Sequence, residues 1–225
     1  MSTLESLIID IQKEAERESF PIDEIVYRDA GLVATLPILY AGNLASKLCF
    51  FARDLGKDEV QNQQPLYGAA GRLVRGGLYR KFYGKEPKNH GDMQAVLEKV
   101  VLTNTVPYKP PGNKAYTEGV KKRFRPFLEQ FLLLHWQGDK IITLGNEAFN
   151  WFAGYGGKGE LKEFFARGDR YTANITVTIT TKDGENNLHS RQITLFPLPH
   201  PSPLNQQYYA QFPQLLQQRL EEIFR

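Results

Sequence analysis

A single histidine stands between prolines near the end of the chain, in the run Leu-Phe-Pro-Leu-Pro-His-Pro-Ser-Pro-Leu at 195–204. Proline fixes its own φ and restricts the residue before it, so the loop that carries His200 is predicted to be rigid. Rigid loops at strand ends are where α/β proteins place catalytic and binding groups. Taken alone, the run is equally compatible with a proline-rich turn that holds a solvated histidine.

Three more polar residues follow apolar segments that have the character of strands: Asp54, Asn104 and Asn146. Ligands of open α/β sheets bind beyond the carboxyl ends of the strands, so these side chains and His200 are predicted to converge on one crevice. Two of them have alternative explanations. Asn104 would also fit a buried amide bonded to backbone, and Asn146 would fit a turn or a helix cap after Gly145.

Short apolar segments alternate with amphipathic ones, and this alternation predicts an α/β fold with a mostly parallel central sheet. The segment at 46–53 is an apolar run bounded by polar residues, which is typical of a buried parallel strand. Pro126 and Pro213 are expected to disturb the helices that contain them. Further strands are predicted at 96–104, 140–146, 171–181 and 192–196, and helices at 3–18, 68–83, 117–136, 147–152 and 205–224.

The composition is that of an ordinary globular chain of 225 residues. One domain over 1–225 is predicted, with 1–44 as a helical extension packed on it. The formal net charge of +3 permits a nucleic-acid partner without requiring one. No stretch is apolar enough to span a membrane, and the N-terminus lacks a basic leader. We therefore expect a cytoplasmic monomer with no membrane partner.

Several chemistries are excluded by what the sequence lacks. The only cysteine, Cys49, rules out an internal disulfide and any multi-cysteine metal centre. The four histidines show no metal-ligand spacing. No P-loop, no Gly-x-Gly-x-x-Gly after a strand and no nucleophile elbow is present. Neither a metal nor a cofactor is expected.

Ordered motifs carry a resemblance to a known family. Residues 51–56 read Phe-Ala-Arg-Asp-Leu-Gly, and residues 64–71 read Gln-Pro-Leu-Tyr-Gly-Ala-Ala-Gly. Residues 102–114 read Leu-Thr-Asn-Thr-Val-Pro-Tyr-Lys-Pro-Pro-Gly-Asn-Lys, and the histidine loop at 195–204 comes last. In this order the motifs resemble the uracil-DNA glycosylase superfamily, over roughly residues 45–220.

The resemblance implies a three-layer α/β/α fold and hydrolysis of the bond between uracil and deoxyribose in DNA, which leaves an abasic site. It makes His200 a donor to a uracil carbonyl oxygen, which stabilises the base as it departs as an anion. Asp54 would hold the attacking water and offset the positive charge on the sugar. Asn104 would read the Watson–Crick edge of the extruded base, since an amide offers a donor beside an acceptor.

The first motif departs from the family pattern. Leu55 stands where the family usually has proline, and Arg53 is atypical. Arg53 is interpreted either as a tether for Asp54 or as a phosphate contact. Asp58 and Glu59 are alternative bases, although a solvated acidic turn explains them as well.

The motif at 64–71 departs from the family pattern too, because the family stacks an aromatic ring on the base where this chain has Leu66. An apolar wall formed by Leu66 is one interpretation. The alternatives are that Tyr67 stacks on the base after a small shift of the loop, or that Phe51 lines the pocket.

Loops at the same edge of the sheet are predicted to contact DNA. The first is the loop at 109–114, which two prolines and a glycine make stiff and which carries basic residues. The second is the loop after His200, which is predicted either to bind a phosphate or to insert a side chain into the duplex. Arginines on the helix at 68–83 either add electrostatic binding or form a solvated face. The predicted DNA contacts are Arg53, Lys109, Asn113, Lys114, Ser202, Leu204 and Asn205.

Three alternative functions stay open. The divergent first motif is compatible with another deaminated base, such as hypoxanthine or xanthine. A second alternative is a DNA-binding protein that keeps the fold without turnover, and a third is an enzyme acting on free nucleosides or nucleotide sugars. A cleft shared by Asp54, Asn104 and His200 would favour an enzyme, whereas a salt bridge of Arg53 filling that cleft would favour binding alone.

Overall fold

A six-stranded sheet forms the centre of the computed structural model, which describes residues 3–112, 114–202 and 205–225. Its strands are β1 (Tyr40–Gly42), β2 (Leu48–Ala52), β3 (Val101–Asn104), β4 (Lys140–Leu144), β5 (Ile175–Lys182) and β6 (Leu188–Leu198). Their order across the sheet is β1-β3-β2-β4-β6-β5. The four inner strands are parallel, and the edge strands β1 and β5 pair antiparallel to their neighbours.

Helices cover both faces of this sheet. They are α1 (Leu4–Arg17), α2 (Glu24–Asp29), α3 (Lys57–Asn62), α4 (Ala69–Tyr83), α5 (His90–Ala95), α6 (Glu118–Gln130), α7 (Asn146–Asn150), α8 (Glu160–Ala166), α9 (Gln206–Tyr209) and α10 (Phe212–Ile223). Side chains alternate between the two faces of a strand, so β2 sends Cys49 and Phe51 into one buried cluster and Phe50 into the other. The first cluster contains residues of α1 and α6, and the second contains residues of α4 and α10. This arrangement confirms the predicted α/β/α layers.

Local differences from the sequence prediction have simple causes. The segment predicted as a strand at 96–104 starts with a short 3-10 helix at Val96–Glu98, and β3 begins only at Val101. Helix α6 runs through Pro126 without ending and continues into a π-helical turn at Phe131–His135. The last predicted helix is two helices, because Pro213 lies in the first turn of α10, where a missing N–H costs no hydrogen bond.

The N-terminal segment is part of the buried core. Leu7 and Ile11 of α1 and Tyr27 of α2 are at most 1% exposed and belong to the same cluster as Phe51. The hydroxyl of Tyr27 accepts a hydrogen bond of 3.1 Å from the backbone N–H of Lys109. No helix in the described part of the chain is long and apolar enough to cross a membrane.

Candidate active site

A cleft of about 1170 Å³ opens at the carboxyl ends of the parallel strands. Asp54 follows β2, Asn104 ends β3, Asn146 follows β4 and His200 follows β6, and all four residues line this cleft. Because these strands are neighbours in the order β3-β2-β4-β6, their ends bring together residues that are far apart in the sequence. The structure thus places the four strand-end residues in one cleft.

The side chain of Asp54 is only 2% exposed. Its Oδ1 lies 3.3 Å from the hydroxyl of Thr105, and its Oδ2 accepts a hydrogen bond of 3.3 Å from the backbone N–H of Tyr116. Burial raises the pKa of Asp54 above its ordinary value, against the opposing effects of the Arg53 charge and these hydrogen bonds. A weakly solvated carboxylate of this kind is well suited to accept a proton from water.

His200 is packed against the turn after β4. Gly145 has φ +86°, and a Cβ there would lie 2.9 Å from the Cβ of His200, so both the turn and the close approach require glycine. The carbonyl of His200 accepts hydrogen bonds from the backbone N–H of Ser202 (2.9 Å) and from Nδ2 of Asn205 (3.2 Å). Burial, followed by the charge of Arg53, lowers the pKa of His200 to about 4, so its ring is neutral near pH 7.

Asn104 carries an unused acceptor into the cleft. The residue is 2% exposed, and its Oδ1 is buried with no hydrogen-bond partner in the described residues. Leaving a buried polar atom unpaired costs about 1–3 kcal/mol. A ligand that offers an N–H donor would satisfy this oxygen, so the side chain is suited to recognition rather than to holding the fold.

Leu66 lines the cleft in an unusual backbone conformation. Its φ is +52°, a value that non-glycine residues rarely adopt, and its side chain is buried. Gly71 makes the conformation possible, since a Cβ at that position would lie 1.9 Å from the carbonyl oxygen of Leu66. Strained residues of this type persist where surrounding contacts impose them, often at binding sites.

Arg75 maintains the conformation of the loop at 64–68, which contains Leu66. It is 2% exposed, and it donates hydrogen bonds to the carbonyls of Leu66 (2.9 Å) and Pro65 (3.2 Å) and to Oε1 of Gln64 (3.1 Å). Arg75 is thus buried beneath the loop and belongs to neither the DNA-binding nor the solvated set predicted for the arginines of this helix. Its place four residues after Gly71 and four before Tyr79, on the helix face that these buried residues share, was the signal for a buried role.

Glu59 holds the other end of the same loop. Its Oε1 accepts hydrogen bonds of 2.8 Å from the backbone N–H groups of Tyr67 and Gly68, and its Oε2 accepts one of 3.0 Å from Gly56. All three of these hydrogen bonds come from backbone N–H groups, so the carboxylate orders the backbone. Glu59 is therefore a positioning residue for the loop.

Two of the predicted base contacts face away from the cleft. Phe51 is fully buried among Trp151 and Phe152, since its position in β2 directs it to the core face. The ring of Tyr67 lies against His90, with its hydroxyl 3.0 Å from Nδ1, and under the guanidinium of Arg75. Of the three residues predicted to stack on the base or to line its pocket, Leu66 is the one that lines the cleft, together with Asn104, the fourth predicted base contact.

The predicted DNA contacts divide in the same way. Arg53, Ser202 and Asn205 line the cleft, whereas Lys114 is exposed outside its lining. The prediction for Lys109 does not fit the structure, because its side chain is 4% exposed and its Nζ pairs with Asp23 at 2.6 Å. The remaining two lie outside the described residues, namely Asn113 and Leu204.

Gly71→Ala is expected to destabilise the protein by about 1–3 kcal/mol, because the added methyl group collides with the carbonyl of Leu66. Urea denaturation checks this. The matched control is Gly76→Ala in the same helix, where the nearest atom is a guanidinium nitrogen at 3.8 Å. Gly76→Ala should instead stabilise by up to about 1 kcal/mol through helix propensity. Equal effects of the two variants would contradict a specific contact between Gly71 and Leu66.

The described residues contain no group of three or more His, Cys, Asp or Glu side chains that could hold a metal ion. A comparison with protein families matches residues 39–224 to the Uracil DNA glycosylase superfamily. The chain belongs to the Uracil DNA glycosylase superfamily. The matched region contains every strand and each of the four strand-end residues of the cleft. A comparison with curated proteins finds no match.

Membership of the Uracil DNA glycosylase superfamily establishes the general activity. The protein is a DNA glycosylase of this superfamily, a hydrolase of glycosidic bonds in DNA repair, and its partner is DNA. The match begins at residue 39, so α1 and α2 precede the matched region although they share its buried core.

Proposed function

We propose that the protein hydrolyses the N-glycosidic bond of uracil in DNA and leaves an abasic site. The observation that carries this proposal is the cleft in which Asp54, Asn104 and His200 meet. Each of the three has the property that its role requires: a buried carboxylate, an unpaired amide oxygen and a neutral imidazole. The proposal includes the base identity, which superfamily membership alone leaves open.

In the proposed reaction, the base leaves as an anion while the sugar becomes positively charged. The neutral ring of His200 donates a hydrogen bond to a carbonyl oxygen of the base, where negative charge develops. Asp54 holds the attacking water, accepts its proton as the new C–O bond forms, and offsets the charge on the sugar. Burial of both groups strengthens these interactions, because the surrounding dielectric is low.

Arg53 supports an enzyme over a protein that only binds DNA. Its Nε lies 3.9 Å from Oδ2 of Asp54, at the outer limit of an ion pair, and its side chain is one-third exposed. Both residues line the cleft, so the ion pair does not fill it. We infer that Arg53 adds positive charge beside the site, where the DNA phosphates must approach.

The experiment that tests the proposal is excision from labelled single- and double-stranded oligonucleotides that each contain one uracil, hypoxanthine or xanthine. Alkali cleaves the strand at any abasic site. Cleavage confined to the uracil substrates supports the proposal. Cleavage only at hypoxanthine or xanthine would replace uracil by that base, and DNA binding without cleavage of any of these substrates would overturn the proposal.

Asn104→Ala is expected to lower kcat/KM for uracil excision by about 10- to 100-fold, since the base loses hydrogen bonds worth about 1–3 kcal/mol. Steady-state kinetics on the single-stranded uracil substrate measure this loss. Asn150→Ala is the control, because Asn150 is an exposed amide of α7 outside the cleft lining. Its kcat/KM should stay within about twofold of wild type. An Asn104→Ala enzyme with unchanged kcat/KM would show that another group reads the base.

A further inference from the structure

Four residues form an aromatic and cationic cluster on one wall of the cleft: Phe165, Arg170, Tyr171 and Tyr208, hereafter the rim cluster. The guanidinium of Arg170 lies 4.7 Å from the ring centroid of Tyr171 and 5.6 Å from that of Phe165. Its Nη2 donates a hydrogen bond of 3.2 Å to the hydroxyl of Tyr208. The rings of Tyr171 and Tyr208 meet edge to face at 5.1 Å. All four residues are half-buried, so each keeps part of its surface open to the cleft.

The rim cluster lies beside the proposed catalytic residues rather than among them. Tyr171 precedes β5, which pairs antiparallel with β6, so the start of β5 and the end of β6 share one edge of the sheet. Neighbouring strands are about 4.8 Å apart, which places the cluster one strand beyond the loop of His200. Asn104 ends β3, on the opposite side of β2 and β4.

The cleft has room for more than the extruded base. Its volume of about 1170 Å³ exceeds the 300–1,000 Å³ that is usual for a pocket holding one small molecule. Aromatic rings and arginine planes are the surfaces on which proteins stack unpaired bases. Asp54 and Asn104 offer no aromatic ring or arginine plane for stacking, and the ring of His200 is assigned to the carbonyl oxygen of the base in the proposed reaction. The rim cluster is therefore a separate part of the cleft.

We propose that the rim cluster stacks the base next to the extruded one on the same DNA strand, with Tyr171 as the stacking ring. This inference rests on the proposed function, since it needs the target nucleotide to occupy the cleft. Arg170 holds the ring in place from one side and adds positive charge toward the strand. The subsite recognises any base, because every base has a stacking face.

The test is a binding cycle between protein and DNA that needs no excision. Single-stranded oligonucleotides carry tetrahydrofuran, an uncleavable abasic analogue, at the target position, and either thymine or a second tetrahydrofuran at one neighbouring position. Fluorescence anisotropy at fixed salt gives Kd for each oligonucleotide, with the 5′ and the 3′ neighbour of the target position tested in turn. For the wild type, removal of one neighbouring base should weaken binding by about 5- to 150-fold. For Tyr171→Ala the same removal should change Kd by less than about twofold, and Tyr171→Phe should behave as the wild type.

Tyr209→Ala is the matched control, because Tyr209 is the neighbouring exposed tyrosine of α9 and does not line the cleft. It should retain the wild-type dependence on the neighbouring base. The subsite would be overturned if Tyr209→Ala and Tyr171→Ala lost the dependence of Kd on the neighbouring base equally. It would also be overturned if Kd of the wild type did not depend on that base. Either result would leave the proposed function standing. A wild type that binds none of these oligonucleotides would also overturn the subsite, and uracil excision by the same preparation then decides separately whether the proposed function stands.

Discussion

Asp54→Asn should lower the rate of uracil excision by about 10²- to 10⁴-fold, the usual contribution of a positioned general base. The amide keeps the shape of the carboxylate but cannot accept the proton of the attacking water. The measurement is single-turnover excision on the single-stranded uracil substrate. Asp58→Asn is the informative comparison, because Asp58 is a half-exposed carboxylate that lines the same cleft. A greater loss in Asp58→Asn would move the water-positioning role to that residue.

The stability of Asp54→Asn separates a catalytic loss from a folding defect. Burial raises the pKa of Asp54 in the folded protein, so folding favours its protonated form, and stability is lost as the pH rises through that pKa. The neutral amide lacks this cost, and the variant should match or exceed the wild-type Tm at pH 7. For the same reason, kcat/KM of the wild type should fall on acidification at a pH above the ordinary Asp value of 3.8. A variant that is inactive because it has unfolded would contradict this account.

His200→Ala should lower the excision rate by about 10²- to 10³-fold, the loss that follows removal of one donor to a developing oxyanion. Single-turnover excision measures the loss, and binding of the uncleavable tetrahydrofuran oligonucleotide should change much less. His189→Ala is the control, because that ring pairs with Asp183 at the other end of the sheet. Wild-type rates in His200→Ala would assign the stabilisation of the leaving base to another group.

The same substitution has a second, pH-dependent consequence. The pKa of His200 is lowered from 6.5 to about 4 in the folded protein, so the unfolded chain binds the proton more readily between these values. Stability should therefore be lost as the pH falls from about 6.5 toward 4, by about 3 kcal/mol from this group. In His200→Ala this part of the acid sensitivity should vanish, which urea denaturation at pH 7 and pH 4.5 can measure.

Local sequence patterns determined where the polar site residues lie along the chain. The apolar run of β2 ends at Ala52, two residues before Asp54, and β6 ends two residues before His200. The alternation of strands and helices predicted a parallel sheet, and parallel strands bring their carboxyl ends to one edge. Hydrophobic periodicity is a local property, so it is readable without coordinates.

Side-chain directions in the loops were decided by the tertiary structure. Nothing near Leu66 and Tyr67 in the sequence shows that the first faces the cleft and the second faces His90. That choice follows from the positive φ of Leu66, which Arg75 maintains through a hydrogen bond across nine residues. A substitution elsewhere in α4 can therefore change which side chain of this loop faces the cleft.

The partners of Lys109 and of the rim cluster also could not be predicted from the sequence, because they lie far away along the chain. Lys109 lies in a segment with the composition of a DNA-binding loop, but its ammonium group forms a partly buried ion pair with Asp23, 86 residues earlier. Arg170 and Tyr208 are 38 residues apart and carry no motif, yet the pairing of β5 with β6 joins them at the cleft. The sequence by itself determined β2 to β6, the helical layers and the strand-end residues, because each depends on local apolar spacing, whereas β1 was not predicted. The partners of the charged and aromatic side chains were decided only by the tertiary structure, because they depend on contacts between distant segments.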